Sequence, residues 1–194
     1  MLRGLLSAIF GVMIITVSCA EAPKEESPEP ATAPVVEKVE GPYYELTKED
    51  VTSHPDWTSM NIKFKGAKIG DKYADVEKSL GKLDKTVPVG SEHYRAIFEK
   101  SSFGIYTYKM TTEIQKLEIY GSMADRIADP KFKKLLAGGD LKYMREAFGM
   151  EEMSGLNSDT AGMEYFYDAK GFRFVQYSPG GTPINALMFS KTKK

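Results

Sequence analysis

The sequence GDKYADVEKSLG at residues 70–81 decides the organisation of the chain, because its pattern occurs again as GGDLKYMREAFG at residues 138–149. Both stretches begin and end with glycine and place apolar residues three, six and ten positions after the first glycine. This spacing puts the apolar residues on one face of a helix, so each stretch predicts a short amphipathic helix. The closing glycine of each stretch can adopt the left-handed conformation that ends a helix, and Asp71 and Asp140 are the predicted N-caps.

Runs of strand-forming residues follow each predicted helix, three in each half of the chain. They lie at residues 94–98, 103–108 and 114–120 after the first helix, and at 165–167, 172–177 and 184–189 after the second. The sequence therefore predicts an α+β protein made of two tandem units, each a helix or helix-turn-helix followed by a three-stranded antiparallel sheet. We expect the two sheets to join into one curved sheet with the helices on one face. The first unit comprises residues 44–137 and the second 138–194, with a further helix at 130–136 leading the second.

The order of these motifs resembles a known family. A glycine, a short helix and Leu-Gly, followed by Tyr-x-Tyr, Gly-Phe-x-Phe and Ile-x-x-Leu, resemble the small SmpA/OmlA-type domain of bacterial outer-membrane lipoproteins. The tandem arrangement is similar to the β-lactamase inhibitory protein fold, which shares that unit. The resemblance extends over residues 59–190. It implies the fold, and it implies a sheet surface that binds protein, because the inhibitory protein binds its target with an aromatic concave sheet.

The N-terminus has the pattern of an export signal. One positive charge at Arg3 precedes an apolar run at residues 5–17, which is shorter than the ~20 apolar residues that a membrane-spanning helix needs. Cys19 follows this run and resembles the lipidated cysteine of the bacterial lipoprotein lipobox, although Thr16 stands where that box usually has leucine. The sequence predicts a signal peptide at residues 1–18 and a lipid on Cys19. The alternative is ordinary secretion with an incidental thiol.

Residues 19–43 predict a disordered tether between the lipid and the folded body. Residues 20–43 contain five of the ten prolines, and six glutamates against two lysines. A segment of this composition cannot bury enough apolar surface to offset its conformational entropy. Proline and like-charge repulsion keep such a segment extended.

The composition excludes several classes of function. Lysine and arginine number 26 against 27 aspartates and glutamates, so the chain has no basic excess for nucleic acid. One cysteine excludes an intrachain disulfide and a multi-cysteine metal site, and His54 and His93 lack the spacing of metal ligands. No serine lies in a nucleophile elbow. We therefore expect no enzymatic activity, no cofactor and no metal.

Strand alternation separates a tyrosine-rich face from the predicted core. The predicted core comprises Ile97, Phe103, Ile105, Leu117, Ile119, Phe166, Phe172, Phe174, Leu187 and Phe189. The opposite face collects Phe98 and seven of the eleven tyrosines, namely Tyr94, Tyr106, Tyr108, Tyr120, Tyr165, Tyr167 and Tyr177. Tyrosine combines a large rigid ring with a polar tip and is favoured at interfaces, so these seven tyrosines are the predicted partner-binding residues. The alternative is that tyrosine simply favours strands.

The sequence thus predicts an exported, membrane-anchored lipoprotein that acts without catalysis as a protein-binding or envelope-assembly module. One alternative is an inhibitor of a secreted hydrolase, and another is a lipoprotein that binds a small ligand or a cell-wall glycan. The expected partners are the membrane, through the lipid on Cys19, and a protein, but not nucleic acid. The residue after Cys19 is Ala20, whereas the family's sorting rule associates an aspartate at this position with the inner membrane. The expected location is therefore the outer membrane, at its periplasmic or surface face.

Overall fold

A computed structural model describes residues 41–157, 162–177 and 184–192 of the chain. The predicted signal peptide at 1–18, Cys19 and nearly all of the predicted tether at 19–43 lie outside these residues. Within the described ranges no helix is long and apolar enough to cross a membrane.

The described residues form strands, three α-helices and two short 3-10 helices. The strands are β1 (Tyr44–Glu45), β2 (Ile62–Lys63), β3 (Leu83–Val89), β4 (His93–Phe98), β5 (Phe103–Tyr108), β6 (Ile114–Tyr120), β7 (Met153–Asn157), β8 (Gly162–Tyr167), β9 (Phe172–Gln176) and β10 (Ala186–Ser190). The helices are α1 (Tyr73–Leu80), α2 (Pro130–Leu136) and α3 (Leu141–Phe148). The 3-10 helices are Val51–Ser53, between β1 and β2, and Gly121–Arg126, between β6 and α2.

Eight strands form one antiparallel sheet in the order β3-β4-β5-β6-β10-β9-β8-β7. Each half of this sheet is a four-stranded meander, and β6 pairs with β10 to join the halves. At this join Leu117 lies opposite Phe189 and Ile119 lies opposite Leu187. The strands β1 and β2 form a separate parallel pair. The protein therefore has an α+β fold with a large antiparallel sheet.

Each half of the sheet has four strands where the sequence predicts three. The additional strands, β3 and β7, are the two edges of the sheet. Most of β3 is exposed, and β7 exposes Met153 and Leu156, so neither strand shows the apolar alternation from which a strand is predicted. Pro88 in β3 fits an edge position, because proline has no N–H to donate to a further strand.

The two repeated helices begin differently. Helix α3 begins as predicted, because the Asp140 carboxylate accepts a hydrogen bond of 2.8 Å from the backbone N–H of Tyr143. The predicted Asp71 cap of α1 is wrong, since Lys72 occupies that position without a side-chain hydrogen bond. Asp71 instead accepts from the backbone N–H of Lys68 at 3.1 Å, so its carboxylate is used within the preceding loop. Both helices end as predicted on a glycine of positive φ, at +94° and +85°.

The three helices bury their apolar side chains against one side of the sheet, the core face. Phe132 of α2 lies with its ring centroid 5.8 Å from that of Phe172 and 5.7 Å from that of Phe189. Helix α1 contributes the fully buried Leu80. The sheet residues of this core are Ala96, Phe98, Phe103, Ile105, Ile114, Leu117, Ile119, Tyr165, Tyr167, Phe172, Phe174, Leu187 and Phe189.

Candidate functional site on the polar face of the sheet

The polar face is the side of the sheet opposite the core face. Since side chains alternate along a strand, residues adjacent to core residues point to it. Its central residues are Arg95, Tyr106, Lys116, Glu118, Tyr120, Glu164, Phe166, Arg173, Tyr177 and Met188. Apolar side chains of the helices pack against the core face, whereas the polar face carries charged and phenolic groups.

Glu118 on β6 lies at the centre of the polar face and is only 2% exposed. The guanidinium of Arg95 lies 2.6 Å from its Oε2, and the Tyr106 hydroxyl donates to the same oxygen at 3.1 Å. Tyr177, which follows β9 in the other half of the sheet, donates its hydroxyl to Oε1 at 2.9 Å. One carboxylate therefore fixes side chains from both halves. A buried carboxylate is stable only when it is paired and hydrogen-bonded in this way.

The surroundings of Glu118 hold its tyrosine partners in their neutral form. Burial, and next the charge of Glu118, raises the pKa of Tyr177 and of Tyr106 above the ordinary value of 10.0. Burial also raises the pKa of Tyr120, whose hydroxyl accepts a hydrogen bond from Arg95. The rings of Tyr120 and Tyr177 stack with centroids 6.3 Å apart. These phenols therefore stay protonated at neutral pH, and their contacts set the ring positions.

Glu164 on β8 forms a second buried cluster and is 5% exposed. Arg173 donates to its Oε2 at 2.8 Å, and the side-chain amide of Asn157 donates to Oε1 at 2.7 Å. The same guanidinium lies 5.5 Å from the ring centroid of Phe166 and contacts the sulfur of Met188. Each buried carboxylate of the polar face is therefore matched with an arginine from another strand.

Lys116 on β6 is half-buried and forms no ion pair with the described residues. Its ammonium lies 5.6 Å from the ring centroid of Tyr106. Burial, and next the positive charge of Arg173, lowers the pKa of Lys116, while Glu164 and Glu118 act in the opposite direction. The lysine thus carries a partly desolvated charge that forms no ion pair with a carboxylate in the part of the chain that the structure describes.

A cleft of about 300 Å³ opens beside Lys116. Lys116, Phe166 and Arg173 of the polar face form part of its wall, together with His93, Asp168, Ser190 and Lys191. The cleft combines basic side chains with an aromatic surface, which suits a small anionic group attached to an apolar one.

Four of the seven predicted binding tyrosines lie on the polar face. These are Tyr106, Tyr108, Tyr120 and Tyr177, and all four are half-buried. The ring of Tyr108 packs edge-on against His93, with centroids 5.6 Å apart. The structure thus brings these four together on one surface, where their hydroxyls and rings are neither fully open nor fully buried.

The predicted placement of Tyr165 and Tyr167 on the partner-binding face is wrong. Both point to the core face and are 6% exposed. Their hydroxyls are satisfied internally, because Tyr165 donates to Gln176 at 3.1 Å and Tyr167 donates to the carbonyl of Gly149 at 2.8 Å. Residues 165–167 are all aromatic, so the sequence of β8 offers no apolar–polar contrast from which to choose the buried side.

The side chains of β4 also point to the opposite faces of the sheet from those predicted. Phe98 lies in the core, where its ring stacks on that of Phe103 at 4.9 Å, and Ile97 points to the polar face. Tyr94 therefore lies on the side of the helices, although it is 43% exposed. In β8 the expected core residue Phe166 likewise lies on the polar face. Both strands carry apolar side chains on both faces, so only helix packing decides which face is buried.

The sequence prediction missed the charged residues of the site, Arg95, Lys116, Glu118, Glu164 and Arg173. A signal for them was present, because each lies inside or beside a predicted strand run rather than in a turn. Charged residues are rarely buried without a partner, so charges of both signs in neighbouring strands favour cross-strand pairs.

The two histidines lie in different places. His54 stacks on Tyr44 with ring centroids 4.1 Å apart, and His93 lies at the edge of the polar face. In the part of the chain that the structure describes, no three or more side chains of histidine, cysteine, aspartate or glutamate come together as a potential metal site.

Comparison with protein-family models and with curated proteins found no match to this chain. Among solved structures, this chain is similar to the crystal structure of a DUF4309 family protein, YjgB, from Bacillus subtilis subsp. subtilis str. 168. The two share 14% sequence identity, and the match covers 62% of this chain and 79% of that chain with a TM-score of 0.43. This similarity assigns the chain to no family and to no activity.

Proposed function

We propose that this chain is an exported lipoprotein that binds a partner protein through the polar face of its sheet. The observation that carries the proposal is the Glu118 network, in which one buried carboxylate fixes Arg95, Tyr106 and Tyr177 on a surface outside the helix-packed core. Tyrosine and arginine supply much of the binding energy at protein interfaces. Because neighbouring groups already hold these side chains, less conformational entropy is lost when a partner binds.

The proposed location rests on the N-terminal sequence. A charged start, an apolar run too short to span a bilayer and Cys19 at its end support export followed by lipidation. A tether at residues 19–43 would hold the folded body away from the membrane, so that the polar face remains accessible. We propose the outer membrane as the site of attachment, and a binding or assembly role without catalysis.

We also propose that the two halves of the body are tandem copies of one unit. In each half a short helix ends on a glycine and leads into a four-stranded meander. When the two halves of the sequence are aligned, Phe103 is equivalent to Phe172 and Ile105 is equivalent to Phe174. All four residues lie in the core. In this interpretation the polar face is composite, because Glu118 of the first unit accepts a hydrogen bond from Tyr177 of the second.

A site-specific photocrosslinker tests the binding surface. It replaces Tyr108 on the polar face in the full chain, expressed in the organism that produces it. Tyr94 is the matched control, because it is a partly exposed tyrosine of the next strand that points to the opposite side. We expect one discrete crosslinked protein from Tyr108 and none, or a different one, from Tyr94. Equal crosslinking at both positions, or none at Tyr108, would show that the polar face is not the binding surface.

Labelled fatty acid tests the anchor separately. The label should enter the wild-type chain and be lost in Cys19→Ala. Retention of the label in Cys19→Ala would refute lipidation at this residue.

A further inference from the structure

The buried carboxylates of the polar face are paired with arginines, but its half-buried lysine has no such partner among the described residues. Its two carboxylates, Glu118 and Glu164, are both buried, and each is paired with an arginine at 2.8 Å or less. The face therefore presents no unpaired acidic group at its centre. Lys116, by contrast, lies half-buried between the two clusters and forms no ion pair with the described residues, and its ammonium lies 5.6 Å from the ring centroid of Tyr106. The unpaired charge of the surface is positive.

The position of Lys116 favours an anion from outside the chain. Removing an ammonium from water is unfavourable unless an anion or a hydrogen-bond acceptor replaces the lost hydration. Burial lowers the pKa of Lys116, and the neighbouring guanidinium of Arg173, which is paired with Glu164, lowers it further. An anion placed beside Lys116 would therefore gain more than it would beside an exposed lysine such as Lys85.

The lining of the cleft indicates the charge and the size of this anion. Three of its side chains are basic, namely Lys116, Arg173 and Lys191, and Arg173 is paired with Glu164. A carboxylate side chain supplies the single negative charge that pairs with Lys116. A volume of about 300 Å³ admits one or two side chains. The ring of Phe166 in the wall would contact an apolar neighbour of the acidic residue.

We infer that the cleft beside Lys116 receives the carboxylate side chain of an acidic residue, flanked by apolar residues, from the partner protein. This inference rests on the proposed function, since it names the chemistry that the polar face recognises. Lys116 supplies the charge, and Phe166 packs against the flanking residue. In the bound state the carboxylate replaces the water that the lysine loses through burial.

Titration of the full chain in detergent micelles with a short peptide tests the inference. The probe is an N-acetylated, C-amidated Gly-Phe-Glu-Phe-Gly peptide, and the control peptide has glutamine in place of glutamate. Binding is followed by NMR shifts of the residues that line the cleft. We expect millimolar affinity at low salt, with binding about tenfold weaker for the glutamine peptide, a difference attributable to the charge. Raising the salt from about 50 to about 300 mM should weaken only the glutamate peptide.

Variants of the chain assign the effect to Lys116. Lys116→Met should weaken binding of the glutamate peptide about tenfold and leave binding of the glutamine peptide unchanged. Lys85→Met, which removes an exposed lysine from β3 on the same face, should change either affinity less than about twofold. Thermal unfolding checks the fold of both variants, and Lys116→Met should be at least as stable as wild type because it removes an unpaired, half-buried charge.

Equal affinity for the two peptides, no detectable binding at about 10 mM, or an unchanged affinity in Lys116→Met would overturn the inference. A marked loss of stability in Lys116→Met would also overturn it, because the lysine would then be satisfied within the fold. The crosslinking experiment at Tyr108 keeps the two proposals apart. If a partner crosslinks at Tyr108 but the two peptides bind with equal affinity, only the carboxylate inference is refuted. If no partner crosslinks at Tyr108, the proposed binding surface is refuted.

Discussion

Replacing Glu118 by leucine should destabilise the fold by about 3–5 kcal/mol, because it removes one partner of a buried ion pair and leaves the other uncompensated. Glu118 is 2% exposed and the Arg95 side chain is 21% exposed, so water reaches the guanidinium only in part. Tyr106 and Tyr177 would lose the acceptor of their hydroxyls at the same time. The milder Glu118→Gln keeps one acceptor oxygen and should cost about 1–3 kcal/mol.

A double-mutant cycle measures the interaction energy between Arg95 and Glu118. Arg95→Met should also be strongly destabilising, because it leaves the Glu118 carboxylate buried with only two hydroxyl donors. The variant that combines Arg95→Met with Glu118→Leu leaves no unpaired charge and should be more stable than the sum of the single changes by about 2–3 kcal/mol. The control pair Lys142 and Glu146 has nitrogen and oxygen 3.9 Å apart and is largely exposed. Its coupling energy should be only about 0.3–0.5 kcal/mol.

Urea unfolding of the full chain, followed through the fluorescence of the buried Trp57, measures these free energies. If Arg95 and Glu118 couple no more strongly than Lys142 and Glu146, the polar face does not contain a desolvated ion pair. A Glu118→Leu variant as stable as wild type would refute the argument directly. If that variant does not fold, the smaller loss in Glu118→Gln still tests it.

Three further predictions concern the framework of the body. Gly171→Ala should cost about 2–5 kcal/mol in urea unfolding, because its φ is +73° and an added Cβ would lie 2.7 Å from the backbone oxygen of Ser190; an unchanged midpoint would show that this turn adapts. Asp140→Ala should cost about 1 kcal/mol through loss of the α3 cap, and a loss below a few tenths in the same assay would contradict that role. The hydrogen bond from Arg145 lowers the pKa of Glu151, so this pair stabilises the fold above the unfolded pKa of about 4.3 and the contribution is lost as the pH falls through the folded pKa. Arg145→Met should accordingly lose less stability than wild type between about pH 5 and pH 3, and parallel stability curves would exclude the effect.

Much of the fold follows from the sequence because its signals are local. The glycine-bounded stretches at 70–81 and 138–149 carry apolar residues at helical spacing, and helices occur at both. Asp140 caps α3 as predicted. Runs of β-branched and aromatic residues likewise indicate the six inner strands of the sheet. Local periodicity and end signals act within a few residues, so they can be recognised before any tertiary contact is known.

The edge strands and the identity of the buried face depend on distant contacts. The strands β3 and β7 are held by one neighbour each and have little buried apolar surface, so their sequences carry no strand pattern. Tyr165 and Tyr167 lie in the core, where Phe148 of α3 packs against Tyr167 with ring centroids 6.3 Å apart. An aromatic run fits either side of a strand equally well, and the packing of the helices selects one.

Only part of the candidate site could be predicted from the sequence, for a related reason. The sequence by itself determined a tyrosine-rich sheet, since Tyr106 and Tyr120 each follow an apolar residue in their strands and Tyr108 lies two positions after Tyr106. Only the tertiary structure decided that Glu118 is the acceptor that joins the tyrosines across the two halves of the sheet, because Glu118 and Tyr177 are 59 residues apart in the chain. Electrostatic pairing depends on distance in space and on the exclusion of water, and both are set when β6 and β10 pair.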